Sequence, residues 1–178
     1  MTRRYRRPVL LADEHDVAEF ACRSSEQTQW LRRHARQSGR TGTTKVFVVT
    51  EVDSPVVVAY YGWCMAQLSV PDAPPRLLKG AGRYPQPVAL LARLGVDTRH
   101  EGHGLGAGLL QDVFARAAEL SDDIGCRGLL VHTESTDARD FYHHLVPELE
   151  QSPTDDLHLV VLVRDIRRTL KASVDRDR

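Results

Sequence analysis

Residues 87–110 read Pro-Val-Ala-Leu-Leu-Ala-Arg-Leu-Gly-Val-Asp-Thr-Arg-His-Glu-Gly-His-Gly-Leu-Gly-Ala-Gly-Leu-Leu, and three segments are legible in that one stretch. Pro87 to Val96 is a nearly continuous apolar run, which suits a central strand covered on both faces. Beyond it, glycine falls at 102, 104, 106 and 108. From Leu105 the apolar residues recur at 105, 109, 110, 113, 114, 117 and 120, a 3.6-residue pattern that predicts a helix ending at Asp122-Asp123-Ile124-Gly125. A strand therefore passes through a glycine turn into a helix.

Working outward, Gly128 to His132 reads as a short buried strand. Thr136 to Leu145 reads as a second helix capped by Thr133, Ser135 or Thr136, and Leu157 to Val163 as a closing strand. Upstream, Arg7 to Leu11 predicts an opening strand, and Asp13, Glu14 and Asp16 look like the turn into a helix beginning near Asp16. Ser25 to Gln37 predicts a basic surface helix stopped by Ser38-Gly39. Lys45 to Thr50 and Pro55 to Val70 are strand-like, the second long enough to bend or break near Gly62. Residues 71–86 are rich in proline and glycine and predict a basic loop or an ill-formed helix. The order implies an α/β fold with a single mixed central sheet flanked by helices on both faces.

The chain has 178 residues, enough for one domain spanning 1–178, with a core of about 8–168, a short basic N-terminal arm and a charged C-terminal tail. Its 42% apolar and 27% charged residues match an ordinary globular chain, which excludes disorder and fibrous repeats. The stretch Ser54 to Val70, which carries no charge, suits strands better than a bilayer span, so no membrane partner is expected. The arginines at 3, 4, 6 and 7 precede no apolar segment of a secretory signal, and a cytoplasmic location is expected. Three scattered cysteines, Cys22, Cys64 and Cys126, read as buried thiols in a reducing compartment. Lys+Arg and Asp+Glu number 24 each, yet residues 1–96 carry 14 basic against 8 acidic groups and residues 97–178 carry 10 against 16. Neutrality is thus a cancellation of +6 and −6, and the sum does not exclude a nucleic-acid partner.

The glycine turn is suited to an anion. Residues without a Cβ let a ligand approach the backbone, and a helix N-terminus offers unpaired N–H groups with about half a positive charge. Arg99 adds a charge able to contact a pyrophosphate. A Walker loop is excluded, because no Lys-Ser or Lys-Thr follows the last glycine. Gly102-x-Gly104-x-x-Ala107 satisfies the dinucleotide pattern literally, but its acid would be Asp122 or Asp123, in a turn after the helix. Ligand-free close packing of the helix on the strand is a further alternative. His100, Glu101 and His103 lack any metal-ligand spacing, so no metal is expected.

Arg99-x-x-Gly102-x-Gly104, directly after a long strand, resembles the acetyl-CoA loop of the GNAT N-acetyltransferases: Gln or Arg, two residues, Gly, one residue, Gly or Ala. The run from Leu90 to Leu110, LLVHTESTDARDFYHHL at 129–145, the segment from Val17 to Thr50 and SPTDDLHLVVLVRDI at 152–166 together resemble the acetyltransferase toxins of toxin-antitoxin modules over nearly all of residues 8–168. The resemblance implies a toxin that uses acetyl-CoA to acetylate the amino group of aminoacyl-tRNA and block translation. It implies that Leu94, Gly95 and Val96 pair with the pantetheine arm, while Arg99, Gly102, His103, Gly104, Leu105 and Gly106 surround the pyrophosphate. Phe141-Tyr142 matches the family's Phe-Tyr pair, making Tyr142 the expected general acid toward the leaving thiolate. Leu145-Val146-Pro147 stands where the family usually continues to Gly-Phe.

The resemblance also implies a ribbon-helix-helix antitoxin and a homodimer. A tRNA path would draw on Arg32, Arg33, Arg36, Arg40, Arg76, Lys79, Arg83 and Arg93 through sequence-independent phosphate contacts. A free α-amino group has a pKa near 7.7–8.0, and esterifying its carboxyl lowers it, so the amine is substantially neutral at pH 7 without a dedicated base. His143 and His144 are the alternative acid or base. Two other roles fit the residues: acetylation of a small amine or a protein N-terminus, and a non-catalytic part in an antitoxin complex that represses transcription.

Overall fold

The computed structural model describes residues 4–176. Arg3 of the basic N-terminal arm lies outside them. In chain order the elements are β1 (Val9–Leu10), α1 (Ser25–Arg33), α2 (Ala35–Thr41), β2 (Lys45–Thr50), β3 (Val57–Leu68), α3 (Pro75–Leu78), β4 (Gln86–Val96), α4 (Leu105–Asp123), β5 (Gly128–His132), α5 (Thr136–Leu145), β6 (Glu150–Gln151), β7 (His158–Leu162) and α6 (Val163–Arg176). The strands form one seven-stranded sheet in the order β1-β2-β3-β4-β5-β7-β6. It is mixed, as expected: β4 and β5 run parallel, whereas β1/β2, β2/β3, β5/β7 and β6/β7 are antiparallel. Among the described residues no helix is long and apolar enough to cross a membrane.

The described residues divide into two compact units, one built from the chain up to Cys64 with Ala92–Asp112, the other from Met65–Leu91 with the chain from Val113 onward. In the first, α1 begins where Ser24 Oγ accepts the Gln27 N–H, and it buries Gln27 and Leu31. Val17, Phe20, Leu31, Ala35, Val46, Val48, Val57 and Tyr60 form its core. Tyr60 lies at its centre: Phe20 meets the ring edge-on at 5.4 Å, Trp30 stacks on it at 6.1 Å, and its hydroxyl donates to Gln27 O at 2.7 Å. In the second unit, Leu77 of α3 packs with Val88, Leu130, Val160 and Leu162 of three strands. Arg127 fixes that helix by donating to Leu77 O at 2.8 Å and to Lys79 O at 3.3 Å.

Several expectations need correction. No helix starts near Asp16, because its backbone is taken by the entry to β3: Asp16 N–H donates to Pro55 O and Val57 N–H donates to Asp16 O, both at 2.8 Å. The basic helix is two helices divided at His34, and it ends at Gly42, in the left-handed region at φ 76°, rather than at Gly39. β3 is unbroken at Gly62, where a Cβ would press within 3.1 Å of Thr44 and 3.3 Å of Trp30; the irregularity of this hairpin falls at Val49/Thr50. Residues 169–176 of the charged C-terminal tail continue the helix α6, whose buried residues, Val163, Asp165 and Ile166, lie before them within the expected core. The three thiols are free and half-buried, not buried.

Gly128 heads β5 with no room for a side chain, since a Cβ would stand 2.6 Å from Val161 O, a backbone atom of the paired strand. Gly128→Ala is expected to destabilise the protein by about 1–3 kcal/mol or more, read as a lower denaturation midpoint in urea with an unchanged slope.

Candidate active site

The end of β4 and the turn after it lie in the first unit. β4 pairs with β5 over Val88–Leu91, and residues 92–96 run on past that ladder. Gly95 is buried here for a reason the sequence did not reveal: a Cβ would stand 3.0 Å from Tyr60 and 3.3 Å from Cys22 Sγ. Asp97 follows, fully buried, and stops the strand. Its carboxylate accepts from Arg99 N–H at 2.9 Å, from Arg99 Nε at 2.9 Å and Nη2 at 2.8 Å, and from Ala21 N–H at 3.1 Å. Burial alone pushes this carboxyl up, but the Arg99 guanidinium and the two backbone N–H groups outweigh it and hold the pKa down at about 2. Arg99 also donates to Glu19 O at 2.9 Å, and its side chain remains 58% exposed beside the turn.

A single 3₁₀ turn, Thr98–His100, leads to the glycines. Gly102 and Gly104 both lie at φ 76°, and a Cβ on either would meet nothing within 4 Å. These two glycines therefore answer to backbone conformation and leave the backbone uncovered, which disfavours the close-packing alternative. Gly108 N–H closes the first helical bond onto Gly104 O at 3.0 Å, so the N–H groups of Leu105, Gly106 and Ala107 precede the intrahelical ladder of α4. The first turn of α4 has no acid. His103 Nδ1 lies 2.9 Å from Glu101 O and 3.2 Å from His100 O, which fits the ring into the turn. Glu101, an acid unwelcome beside an anion, is bound in a fork by Arg23 at 2.9 and 2.8 Å, a pairing invisible in the sequence. Uncovered glycine backbone, free helix N–H groups and neutralised acids fit a pyrophosphate.

Tyr142 belongs to the second unit, on α5, whose N-cap is Ser135 accepting from Ala138 N–H at 3.2 Å. It is buried, with Phe141 edge-on at 5.4 Å and 41% exposed. Burial, with a smaller contribution from Glu134, raises its hydroxyl well above the ordinary tyrosine range. No hydrogen bond to that hydroxyl occurs among the described residues, although buried tyrosines ordinarily find a partner. His143 is half-buried and His144 exposed. Among the described residues no group of three or more His, Cys, Asp or Glu could hold a metal ion.

The eight cations expected along an RNA path sort by their partners. Arg36 donates to Ala12 O at 2.8 Å and His15 O at 2.5 Å, tying α2 to the preceding turn. Arg93 bonds Glu26 at 2.7 Å and stands 5.3 Å over the Trp30 ring. Arg76 bonds Glu150 at 2.7 Å and the buried Asp165 at 2.9 Å. Arg40 reaches Asp13 at 3.5 Å across open solvent. Arg32 and Arg33 on α1, and Lys79 and Arg83 after α3, are exposed, and none of their side chains enters an ion pair among the described residues.

The model of the acetyltransferase (GNAT) family matches residues 13–145. A tRNA-acetylating toxin of Mycobacterium tuberculosis is 36% identical over 163 residues, which cover 92% of this chain and 95% of that protein. Among solved structures, a mutant of KacT superposes with a TM-score of 0.86 at 19% identity, over 93% of this chain and 99% of the other. AtaT complexed with acetyl-methionyl-tRNA superposes with a TM-score of 0.83 at 20% identity, over 92% of this chain and 98% of the other. These two likenesses establish the fold.

The buried carboxylate gives this site a pH signature. Asp97 titrates at about 2 when folded against 3.8 ordinarily, so as pH falls the unfolded chain takes up the proton first. Its contribution, roughly 2 kcal/mol, is complete above about pH 4 and is lost between about pH 4 and 2. Asp97→Asn is expected to lower stability by about that amount at pH 7, with the gap to wild type closing across the acid window in urea titrations.

Proposed function

The chain belongs to the acetyltransferase (GNAT) family, and on that premise we propose that it acetylates the α-amino group of aminoacyl-tRNA and thereby halts translation. The observation that carries the reading is the turn at 99–106, with uncovered glycine backbone opening onto the N-terminus of α4. Arg99, Gly102, His103, Gly104, Leu105 and Gly106 would hold the pyrophosphate of acetyl-CoA, and the backbone of Leu94, Gly95 and Val96, past the β5 ladder, would pair with the pantetheine arm. Acetyl-CoA supplies an activated thioester. Tyr142, protonated at neutral pH, would give its proton to the departing sulfur as the C–S bond breaks, and the proton released by the acylated nitrogen would restore it.

The acceptor class is supported by the name of the mycobacterial relative and by the tRNA bound to AtaT. Arg32 and Arg33, exposed on the last turn of α1, are the cations best placed to take phosphates, with Arg40, Lys79 and Arg83 as further contacts. Arg36, Arg76 and Arg93 would serve RNA only while also keeping their partners within the chain. A ribbon-helix-helix antitoxin and pairing of two copies of this chain complete the proposal; AtaT is bound to the C-terminus of its antitoxin AtaR in a solved structure.

Incubation with labelled acetyl-CoA and charged tRNA tests the reading: label is expected on the aminoacyl end. Label on free amines but not on charged tRNA would replace this reading with that of a small-amine acetyltransferase. Tyr142→Phe is expected to lower kcat by about 10²–10⁴-fold while coenzyme A binds within about twofold of wild type by calorimetry; undiminished turnover would remove Tyr142 from the chemistry. Replacing Arg32 and Arg33 together by alanine is expected to weaken charged tRNA binding and to reduce the slope of log K against log salt by about one per arginine.

A further inference from the structure

The glycines that suit the turn to an anion also leave it without stiffness of its own, so its shape depends on what holds its base. The last buried residue before Gly102 is His100, at 8% exposure, with its N–H on Asp97 O at 2.8 Å. Both of its ring nitrogens face groups from a distant part of the chain. Tyr5 Oη lies 3.1 Å from Nδ1, and Glu51 Oε1 lies 3.6 Å from Nε2. In the tautomer with the proton on Nε2, Tyr5 donates to Nδ1 and Nε2–H faces the Glu51 carboxylate in a longer electrostatic contact. The Tyr5 ring also stands edge-on to His100 at 5.8 Å and to His103 at 6.0 Å, touching the turn on both sides of its first glycine.

Tyr5 and Glu51 arrive together, because they are opposed across an isolated antiparallel bridge. Arg6 N–H donates to Thr50 O at 2.9 Å, Val52 N–H donates to Arg4 O at 3.0 Å, and the Arg6 guanidinium closes on Val52 O at 2.9 and 2.5 Å. Arg4 to Arg6 of the basic arm are therefore pinned along the end of β2, and Tyr5 is delivered to the turn.

We infer that Tyr5 and Glu51 are positioning residues for the anion-binding turn, acting through His100 to hold Gly102–Gly106 in the shape that receives coenzyme A. The inference rests on the proposed reading of that turn. Removing the Tyr5 hydroxyl takes one hydrogen bond from the His100 ring, and a ring held less firmly fixes the backbone that follows it less well.

The test uses the full chain and coenzyme A as the probe, with binding read by calorimetry and backbone order by hydrogen exchange. Tyr5→Phe is expected to raise Kd about 5- to 20-fold, to speed exchange at residues 101–106, and to leave the thermal midpoint without ligand within a few degrees. Glu51→Gln, which keeps an acceptor facing Nε2, is expected to retain most of the affinity. Tyr5→Phe combined with His100→Ala is expected to cost no more than His100→Ala alone, since the hydroxyl acts through that ring. Unchanged Kd and exchange in Tyr5→Phe would overturn the inference, and so would additivity in the double variant. A lower midpoint with unchanged Kd would overturn it as well, by making the contact a matter of stability only. Wild-type protein that binds no coenzyme A would instead overturn the reading of the turn itself.

Discussion

The buried carboxylate of Asp97 is the interaction on which the site depends. A chain leaving β4 could continue in many directions. Here the Asp97 N–H donates to Val58 O at 2.8 Å, Thr98 N–H donates to Ala21 O at 2.9 Å, and the carboxylate gathers the Ala21 and Arg99 N–H groups along with the Arg99 guanidinium. An isolated charge so buried would be prohibitive, whereas one that accepts four hydrogen bonds and faces a guanidinium is held in its ionised form. The same group that ends the strand thus sets the direction of the turn and the posture of Arg99. Two residues upstream, the missing Cβ of Gly95 lets β4 lie against Tyr60 and Cys22, so the strand reaches that carboxylate at the right height.

Electrostatics around the turn come from the backbone more than from side chains. Of the two acids nearest the glycines, Asp97 is satisfied by Arg99 and Glu101 by Arg23, so neither competes with an incoming anion. What remains is the set of N–H groups at the start of α4 and the half-exposed side of Arg99. The balance of +6 in residues 1–96 against −6 beyond them is resolved in a similar way within each unit: Arg23 pairs with Glu101 in one, and Arg76 with Glu150 and Asp165 in the other. Part of the apparent basic excess is structural. The remainder is concentrated on exposed side chains such as Arg32, Arg33, Lys79 and Arg83.

What the sequence revealed follows from where the information is local. β2, β5 and α5 begin and end at Lys45–Thr50, Gly128–His132 and Thr136–Leu145 as expected, because each is a short apolar or periodic run between strong punctuation. The acids around Asp16 mimic a helix start, while Pro55 to Val57, some forty residues away in sequence at the entry to β3, claim its backbone. β6 is two residues long and carries no periodic signal, and the last turns of α6 are so charged that residues 169–176 read as a tail. In the candidate site the glycine spacing was plain, since backbone conformation writes itself into residue type. The pairings of Arg23 with Glu101 and of Tyr5 with His100 join residues 78 and 95 positions apart, and nothing local announces them.

The titration state of Tyr142 also bears on which amines suit the proposed reaction. Burial keeps its hydroxyl protonated throughout the physiological range, so it cannot be the base that takes a proton from the attacking nitrogen. An acceptor is then favoured by arriving neutral. A lysine side chain, with a pKa of about 10.4, is neutral at pH 7 in fewer than about one molecule in a thousand, whereas a free α-amino group near 7.7 is neutral in roughly one in six. Esterification of the adjacent carboxyl to tRNA raises that fraction further by withdrawing charge from the nitrogen. In the proposed reaction a tyrosine that keeps its proton would leave the less basic amine favoured, and ester-linked amino acids stand at that end of the scale.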